Sequence, residues 1–301
     1  MVLVAHISWW GDHEENRVQK LPEMWPEIHD AHAQQDPRMF PLLEGAETMT
    51  KIEILSLGGG LQSTAIFCLS KTGKIPQYDY VIFADTGSEQ EHTLQTCSWI
   101  EEQCQEMKTE YIEVRNEQLL PLHEQYKAWG RVPMVKNPRC TEQWKVRPIR
   151  RKVKELVDQS QKKPWANMHL GITSDEAHRA RESNVQWLET KFPLIELGWH
   201  RHQCEAFMTR EFPDLQVKKS GCWHCHYQSK KEWSKLRKER PDLFKLALEM
   251  EEAAKKNGVR SYGLNAGRSI EGFDYTHTLE DFGFELGPGD FDCNTEGSCF
   301  L

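Results

Sequence analysis

Two cysteines separated by two residues form the clearest chemical motif of the sequence, Cys222-Trp223-His224-Cys225. Thiols at this spacing can chelate one metal ion, hold two corners of an iron-sulfur cluster, or cycle between dithiol and disulfide. Because His224 and His226 lie beside the pair, imidazole nitrogens could complete a tetrahedral zinc site instead. The motif therefore predicts a metal or redox centre without distinguishing between these kinds.

A second candidate site is the glycine turn, Ser56-Leu57-Gly58-Gly59-Gly60-Leu61-Gln62-Ser63, which joins a strand-like segment to a helix-like one. Glycines let the main chain approach an anion, and the N–H groups of a first helical turn stabilise phosphate. The turn is neither a Walker A loop nor a GxGxxG fingerprint. It predicts a phosphate site, and a tight turn without a ligand is the alternative.

Polar residues also follow two other predicted strands. Asp85-Thr86-Gly87 comes directly after the apolar segment 80–84, and Asp175 and Arg179 come shortly after the segment 167–172. Since the carboxyl ends of parallel strands meet at one edge of a sheet, these residues should lie beside the glycine turn. A helix N-cap is the alternative role for Asp85.

The segments that must position these residues alternate between strand and helix patterns. This order predicts an α/β fold, a parallel sheet flanked by helices, followed by a helical region that bears the CxxC cysteines. The predicted strands are 51–57, 80–84, 110–114 and 167–172, and the pattern beyond them is helical and irregular. The predicted helices begin near 62, 89 and 148, with a last one from Pro241 to Gly258.

Four segments together resemble the PP-loop ATP pyrophosphatases: SLGGGLQST at 56–64, FADTG at 83–87, CTEQWKVRP at 140–148 and GITSDEAHR at 171–179. The nearest branch is the one named for phosphoadenosine phosphosulfate (PAPS) reductase, with its phage and DNA-sulfur-modification relatives. The resemblance covers about residues 50–255. Gly58 and Gln62 depart from the family's Ser-Gly-Gly-x-Asp-Ser turn, and Gln62 replaces a carboxylate that could help to place magnesium.

The resemblance implies an adenine nucleotide alpha-hydrolase-like, Rossmann-like fold with ATP or PAPS as the nucleotide and magnesium as a candidate cofactor. The glycine turn from Ser56 to Ser63 and the Asp85-Thr86-Gly87 segment would hold the nucleotide. Lys145, Asp175 and Arg179 would be the catalytic residues. Lys145 and Arg179 would compensate phosphate charge, because cations stabilise the charge that develops on phosphate oxygens.

The sulfur-transferring relatives further imply a 4Fe-4S cluster held by three cysteines, here Cys140, Cys222 and Cys225. Cys299 is a candidate fourth ligand. One open iron could carry an additional sulfide to the acceptor. Zinc is the alternative metal, in which case the cysteines would be a structural staple.

These expectations combine into an ATP-dependent sulfur-transfer enzyme that adenylates an acceptor, releases pyrophosphate and then inserts sulfur. One alternative is a thiol-dependent reductase of PAPS or its unphosphorylated analogue. Another alternative is a zinc-stapled nucleic-acid-binding protein with a vestigial nucleotide site. ATP turnover to AMP and sulfite release from PAPS distinguish the three.

Composition limits the partners and the compartment. The chain lacks an apolar run of the roughly 18 residues that a membrane span needs and lacks a signal-peptide pattern, so we expect a cytoplasmic protein with no membrane partner. Nine cysteines in 301 residues favour free or metal-bound thiols over disulfides. The net charge of -8 conceals basic stretches at 145–163 and 218–240, which are candidate surfaces for a nucleic-acid acceptor. Further copies of the chain are another candidate partner, and no pattern identifies the sulfur donor.

The predicted domain organisation has four parts. Residues 1–48 are an extension of unknown role, and 49–200 are the nucleotide-binding α/β domain. Residues 201–270 are the helical region with the CxxC motif, and 271–301 are an acidic tail.

Overall fold

The computed structural model describes residues 51–134, 139–157 and 163–271. The predicted extension 1–48, the acidic tail beyond Glu271 and the candidate ligand Cys299 lie outside the described residues, so the predictions about them stay predictions.

Five strands and nine α-helices make up the described ranges. The strands are β1 (Ile52–Leu57), β2 (Tyr80–Ala84), β3 (Glu110–Val114), β4 (Ala166–His169) and β5 (Leu188–Lys191). The helices are α1 (Leu61–Lys71), α2 (Glu91–Met107), α3 (Leu122–Ala128), α4 (Arg139–Thr141), α5 (Arg147–Leu156), α6 (Pro193–Glu196), α7 (Arg201–Glu211), α8 (Lys230–Glu239) and α9 (Pro241–Lys256). A π-helical segment (Glu142–Val146) joins α4 to α5, and a 3-10 helix (Ser174–Arg179) follows β4.

The five strands form one parallel sheet in the order β3-β2-β1-β4-β5. Every neighbouring pair is parallel, with Leu55 opposite Val81 in one direction and opposite His169 in the other. The predicted fold class, a parallel sheet flanked by helices, is confirmed.

The strand β5 corrects the prediction that the chain beyond β4 is only helical and irregular. Its four residues, LETK, pair with β4 from Ala166 to His169. Three of these four residues are polar and the strand lies at the sheet edge, so the sequence carries neither an apolar run nor an alternating pattern there.

Each face of the sheet is covered by a separate layer of helices. Leu55 and Leu57 pack with α1, α2 and α7 on one face, whereas Ile54 packs with α5 on the other. Alternate side chains of a strand point to opposite faces, which explains why β1 is apolar at both sets of positions.

A third apolar cluster joins α3, α8 and α9. Trp233 and Met250 are fully buried within it, and Trp144 and Trp223 attach the π-helical segment and the CxxC turn to the same cluster. The helix α7 instead packs on α1 beside the sheet, and the predicted division between 49–200 and 201–270 stays a prediction. None of the helices within the described ranges is both long and apolar enough to cross a membrane.

Candidate functional site

The candidate site lies at the carboxyl edge of the sheet, between β1 and β4. The chain winds from β1 to β2 and β3 on one side and continues with β4 and β5 on the other, so β1 and β4 flank the point where the winding reverses. Ligands of open parallel α/β sheets bind in the crevice at such a point. The glycine turn follows β1, and the segment that contains Asp175 and Arg179 follows β4.

These two loops are in close contact. A Cβ atom added at Gly171 would lie 2.7 Å from the backbone nitrogen of Ser63, so only glycine lets the loop after β4 approach the start of α1 so closely. The Gln62 amide nitrogen lies 3.3 Å from a Glu176 carboxylate oxygen. The other Glu176 oxygen accepts a hydrogen bond from Arg179 at 2.6 Å. The sequence prediction that the two strand ends meet is consistent with this geometry.

The glycine turn itself exposes the start of α1. Gly59 has a φ of +67° in the left-handed region, and Gly60 is the N-cap residue, so no side-chain oxygen caps the first turn. The Ser63 hydroxyl donates to the Gly60 carbonyl and accepts from the Gly58 N–H, both at 3.2 Å. Ser63 therefore also holds the shape of the turn, in addition to its predicted contact with phosphate. Ser56, the first residue of the predicted nucleotide site, lies within β1 opposite Ile82.

The residues after β2 are turned towards β3. The Asp85 carboxylate accepts from the Gly87 N–H at 2.8 Å and forms an ion pair with Arg115, which follows β3. Thr86 donates from its hydroxyl to Glu89 at 3.0 Å. Asp85 is thus engaged by a backbone amide and an arginine, and its predicted role at the nucleotide stays a prediction.

The CxxC loop reaches both of these strand ends. A Cβ atom added at Gly60 would lie 2.6 Å from the Ser220 hydroxyl, so the start of the loop rests on the glycine turn. The loop also pairs with the segment after β2 through an antiparallel bridge between Glu89 and Cys222. Backbone hydrogen bonds from Gln90 to Gly221 and from Trp223 to Ser88 extend this pairing.

As a result, one thiol enters a cluster of polar side chains. The Cys222 sulfur lies 3.4 Å from the Thr86 hydroxyl and 4.0 Å from a Glu89 carboxylate oxygen. The Lys145 ammonium lies 3.3 Å from that same oxygen, and the Glu89 side chain is 0% exposed while Lys145 is 21% exposed. We call Thr86, Glu89, Lys145 and Cys222 the thiol cluster.

The charged groups of the thiol cluster have opposite effects on the pKa of Cys222. Burial, and then the negative charge of Glu89, raises the pKa of Cys222 well above its usual range, whereas Lys145 acts in the opposite direction. The second Glu89 oxygen is buried and has no hydrogen-bond partner among the described residues. Buried acceptors are normally satisfied, so this oxygen marks a place where a bound donor would be stabilised.

The predicted metal ligands are only partly brought together. Cys140 and Cys222 pack against the same apolar cluster, and the charge of a Cys140 thiolate would raise the pKa of Cys222. Cys225 belongs to the tight turn that begins at Cys222. Among the described residues, however, no group of three or more His, Cys, Asp or Glu side chains is placed to hold a metal ion. The described residues alone therefore do not complete a ligand set, and the cluster and zinc both stay predictions.

Two histidines beside the cysteines are buried instead. His224 is 1% exposed and His226 6% exposed. Desolvation lowers the pKa of His224 to about 3 and that of His226 to about 4, so both rings are neutral at neutral pH.

The predicted catalytic residue Asp175 has a structural contact. Its carboxylate accepts from the backbone N–H of Arg201 at 3.3 Å, at the start of α7, and lies 4.0 Å from His200. A carboxylate at a helix N-terminus stabilises that helix. The predicted catalytic role of Asp175 is separate from this contact and stays a prediction.

Two residues of the site were missed by the sequence analysis, Glu89 and Ser220. Glu89 follows FADTGS in the sequence and reads there as an ordinary first-turn acid of the helix predicted to begin near 89. Ser220 precedes the CxxC glycine and carries no signal of its own. Their importance arises from the long-range pairing of segments 88–90 and 221–223.

No protein-family model and no curated protein matches the sequence. The fold class and the geometry of the carboxyl edge are therefore the grounds on which a function can be assigned.

Proposed function

We propose that the protein is an ATP-dependent sulfur-transfer enzyme of the PP-loop ATP pyrophosphatase type, on the PAPS reductase-like branch. The observation that carries the proposal is the contact between the CxxC loop and the glycine turn. Through Ser220 and Gly60, the thiol of Cys222 is tied to the loop that would hold the nucleotide phosphates.

The nucleotide part of the proposal is supported by the start of α1. The glycine turn lies at the reversal of strand order, and its helix begins without a side-chain cap. Backbone N–H groups and the helix dipole at such a position favour phosphate. The strands β2 and β4 flank β1 in the sheet, so the loops that follow them lie on either side of this turn.

The sulfur part is supported by the thiol cluster. In the proposed reaction an acceptor oxygen attacks the α-phosphorus of ATP, the bond to the β-phosphate oxygen breaks, and pyrophosphate leaves. A sulfur nucleophile then attacks the acceptor carbon, and AMP leaves with the oxygen. Cys222 would carry this sulfur as the outer sulfur of a persulfide charged by an external sulfur donor, and Lys145 would offset negative charge near it. The attack leaves a disulfide between Cys222 and the acceptor. An external dithiol would reduce this disulfide, releasing the thiolated acceptor and the free Cys222 thiol, and would itself be oxidised to a disulfide.

The first test measures AMP formed from α-labelled ATP. We expect Lys145→Met to lower the rate of AMP formation at least about 100-fold, because the loss of one charge-stabilising group usually has an effect of this size. Because this change leaves the buried Glu89 carboxylate without its cation, the double variant Glu89→Gln/Lys145→Met is measured beside it. Lys154→Met is the control, since the Lys154 ammonium lies over the ring of Trp187 and outside the thiol cluster. Equal rates in Lys145→Met and Lys154→Met would reject the proposal.

A second test identifies the sulfur chemistry. Cys222→Ser should abolish transfer of sulfur while adenylation of the acceptor continues. Sulfite release from PAPS by the wild type would instead identify a thiol-dependent reductase.

Metal analysis tests the cluster separately. Anaerobically purified protein is assayed for iron, acid-labile sulfide and zinc, with Cys204→Ala as the control for Cys222→Ala because Cys204 is buried against α1. Four irons per chain, lost only in Cys222→Ala, would support cluster-based transfer. Stoichiometric zinc without iron would reject cluster-based transfer. Free thiols are also consistent with a cytoplasmic enzyme, which stays a prediction.

A further inference from the structure

A second polar cleft lies on the same edge of the sheet, beyond the edge strand β3. Its volume is about 80 Å³, and it is lined by Asn116, Gln118, Gln143, Arg147, Pro148 and Arg151. None of these lining residues is acidic, and two of them are arginines one helical turn apart on α5. We call this the arginine cleft.

The walls of the arginine cleft are tied together by hydrogen bonds. The Asn116 amide donates to the Gln143 carbonyl at 2.8 Å and so joins the loop after β3 to the π-helical segment. Arg147 donates to the Glu142 carboxylate at 3.0 Å and to the Gln143 side-chain oxygen at 3.2 Å. The Arg147 guanidinium is therefore held in place, and π-helical segments often occur at functional sites.

Arg151 differs from Arg147 because it makes no hydrogen bond, ion pair or ring contact with another described residue. It is exposed at the cleft and follows Arg147 by four residues, so the two side chains lie on one face of α5. Two guanidinium groups so arranged present several N–H donors to one anion. Their planar forks match the oxygens of a phosphate group.

The remaining cations of this basic stretch are engaged elsewhere within the described residues. Arg150 donates to Asn184 at 2.7 Å, Lys152 pairs with Glu155 at 2.7 Å, and Lys154 lies 5.2 Å from the ring of Trp187. An extended nucleic-acid backbone would need a row of available cations, with many phosphates bound at once. Among its described residues, 145–157 and 163, the stretch offers one discrete anion position instead.

We infer that the arginine cleft binds a single phosphate group of a second ligand, separate from the nucleotide at the glycine turn. Lys145 of the thiol cluster precedes Arg147 by two residues, so the cleft and the thiol cluster share the segment in which the π-helical turn leads into α5. The phosphate could belong to a small phosphorylated molecule or to a single nucleotide of a polymer. The site does not depend on the proposed function, since its donors are present whether or not ATP is cleaved.

The test is protection of arginine from phenylglyoxal, followed by peptide mass spectrometry. Inorganic phosphate at about 10 mM, well above the millimolar dissociation constant expected for such a site, should slow modification of Arg147 and Arg151 at least about fivefold. Arg181, which is exposed and bonded only to local carbonyls among the described residues, is the internal control. Equal protection of Arg181, or unchanged modification of Arg151, would overturn the inference.

Variants and a salt series distinguish the two sources of phosphate. Arg151→Gln should weaken binding of AMP at this cleft about tenfold, whereas Arg150→Gln, one residue earlier and bonded to Asn184, should leave it within twofold. For a short single-stranded oligonucleotide, the slope of log affinity against log salt should be about -0.7, because one phosphate is held. A slope of about -6 or steeper, or protection by the oligonucleotide alone, would overturn the single-phosphate site. ATP cleavage is followed in the same variants, so failure here leaves the proposed function untouched.

Discussion

At the scale of single residues, the glycine turn is the most sensitive part of the site. Gly59→Ala should lower the free energy of unfolding by about 2–4 kcal/mol, because the left-handed φ is strained and the new Cβ would lie 2.7 Å from a Thr93 methyl group. Gly73→Ala is a matched control, since its φ of +71° is similar but open space surrounds the new Cβ. In urea unfolding, the free energy of unfolding of this control should fall by only about 1 kcal/mol. Equal losses in both variants would mean that the contact with Thr93 adds nothing.

The residue scale also shows where sequence reasoning reached its limit. The glycine turn and the CxxC pair could be predicted because their residue types and spacing carry a mechanism. Glu89 could not be, since a single acid at the start of a helix has an ordinary structural explanation. Glu89 lies beside the thiol only because its segment pairs with the segment of Cys222, which is 133 residues later in the chain.

At the scale of elements, α9 holds the end of the described chain through one buried carboxylate. Glu251 is 2% exposed and accepts from the N–H groups of Leu264 at 2.7 Å and Ile270 at 3.0 Å, and from the Ser269 hydroxyl at 2.6 Å. The loop from 263 to 271 therefore closes back onto the helix. Its position depends on these hydrogen bonds because it contains no regular strand or helix.

We expect Glu251→Gln to lower the free energy of unfolding by about 2–4 kcal/mol, because the new amide would place N–H donors against N–H donors. Glu252→Gln is the matched control, because Glu252 pairs with Lys256 on the exposed side of the same helix. This variant should lower the free energy of unfolding by less than about 0.5 kcal/mol. Chemical unfolding followed by circular dichroism measures both. A loss in Glu252→Gln as large as in Glu251→Gln would contradict a specific role for the buried carboxylate.

Elements with strong patterns were predicted to within a few residues, and those without patterns were not. The apolar runs of β1 and β2 and the proline at the start of α9 gave correct positions. The polar strand β5 and the π-helical segment have no comparable signal, because pairing with β4 and packing of Trp144 determine them. The region of the site that lies on these elements is therefore visible only in three dimensions.

At the scale of the whole molecule, the site joins two separate cores. The glycine turn belongs to the layer of α1 and the sheet, whereas Trp223 anchors the CxxC loop in the cluster of α3, α8 and α9. Ser220 at Gly60 and the bridge at Glu89 are contacts between them. A nucleotide on the glycine turn should therefore stabilise the CxxC loop as well as the turn.

Hydrogen exchange can measure this coupling. With α,β-methylene ATP at about 100 times its dissociation constant, binding adds about 2.7 kcal/mol to the stability of the bound state, so amides that exchange only after release of the ligand should slow by up to about 100-fold. We expect this protection at 59–64 and also at 220–225, where Trp223 donates its N–H to Ser88. The end of α9, residues 250–257, is the internal control and should change little.

In Ser220→Gly, which removes the hydroxyl beside Gly60, protection should persist at 59–64 and decline at 220–225. Protection confined to 59–64 in the wild type would show that the nucleotide turn and the thiol loop act independently.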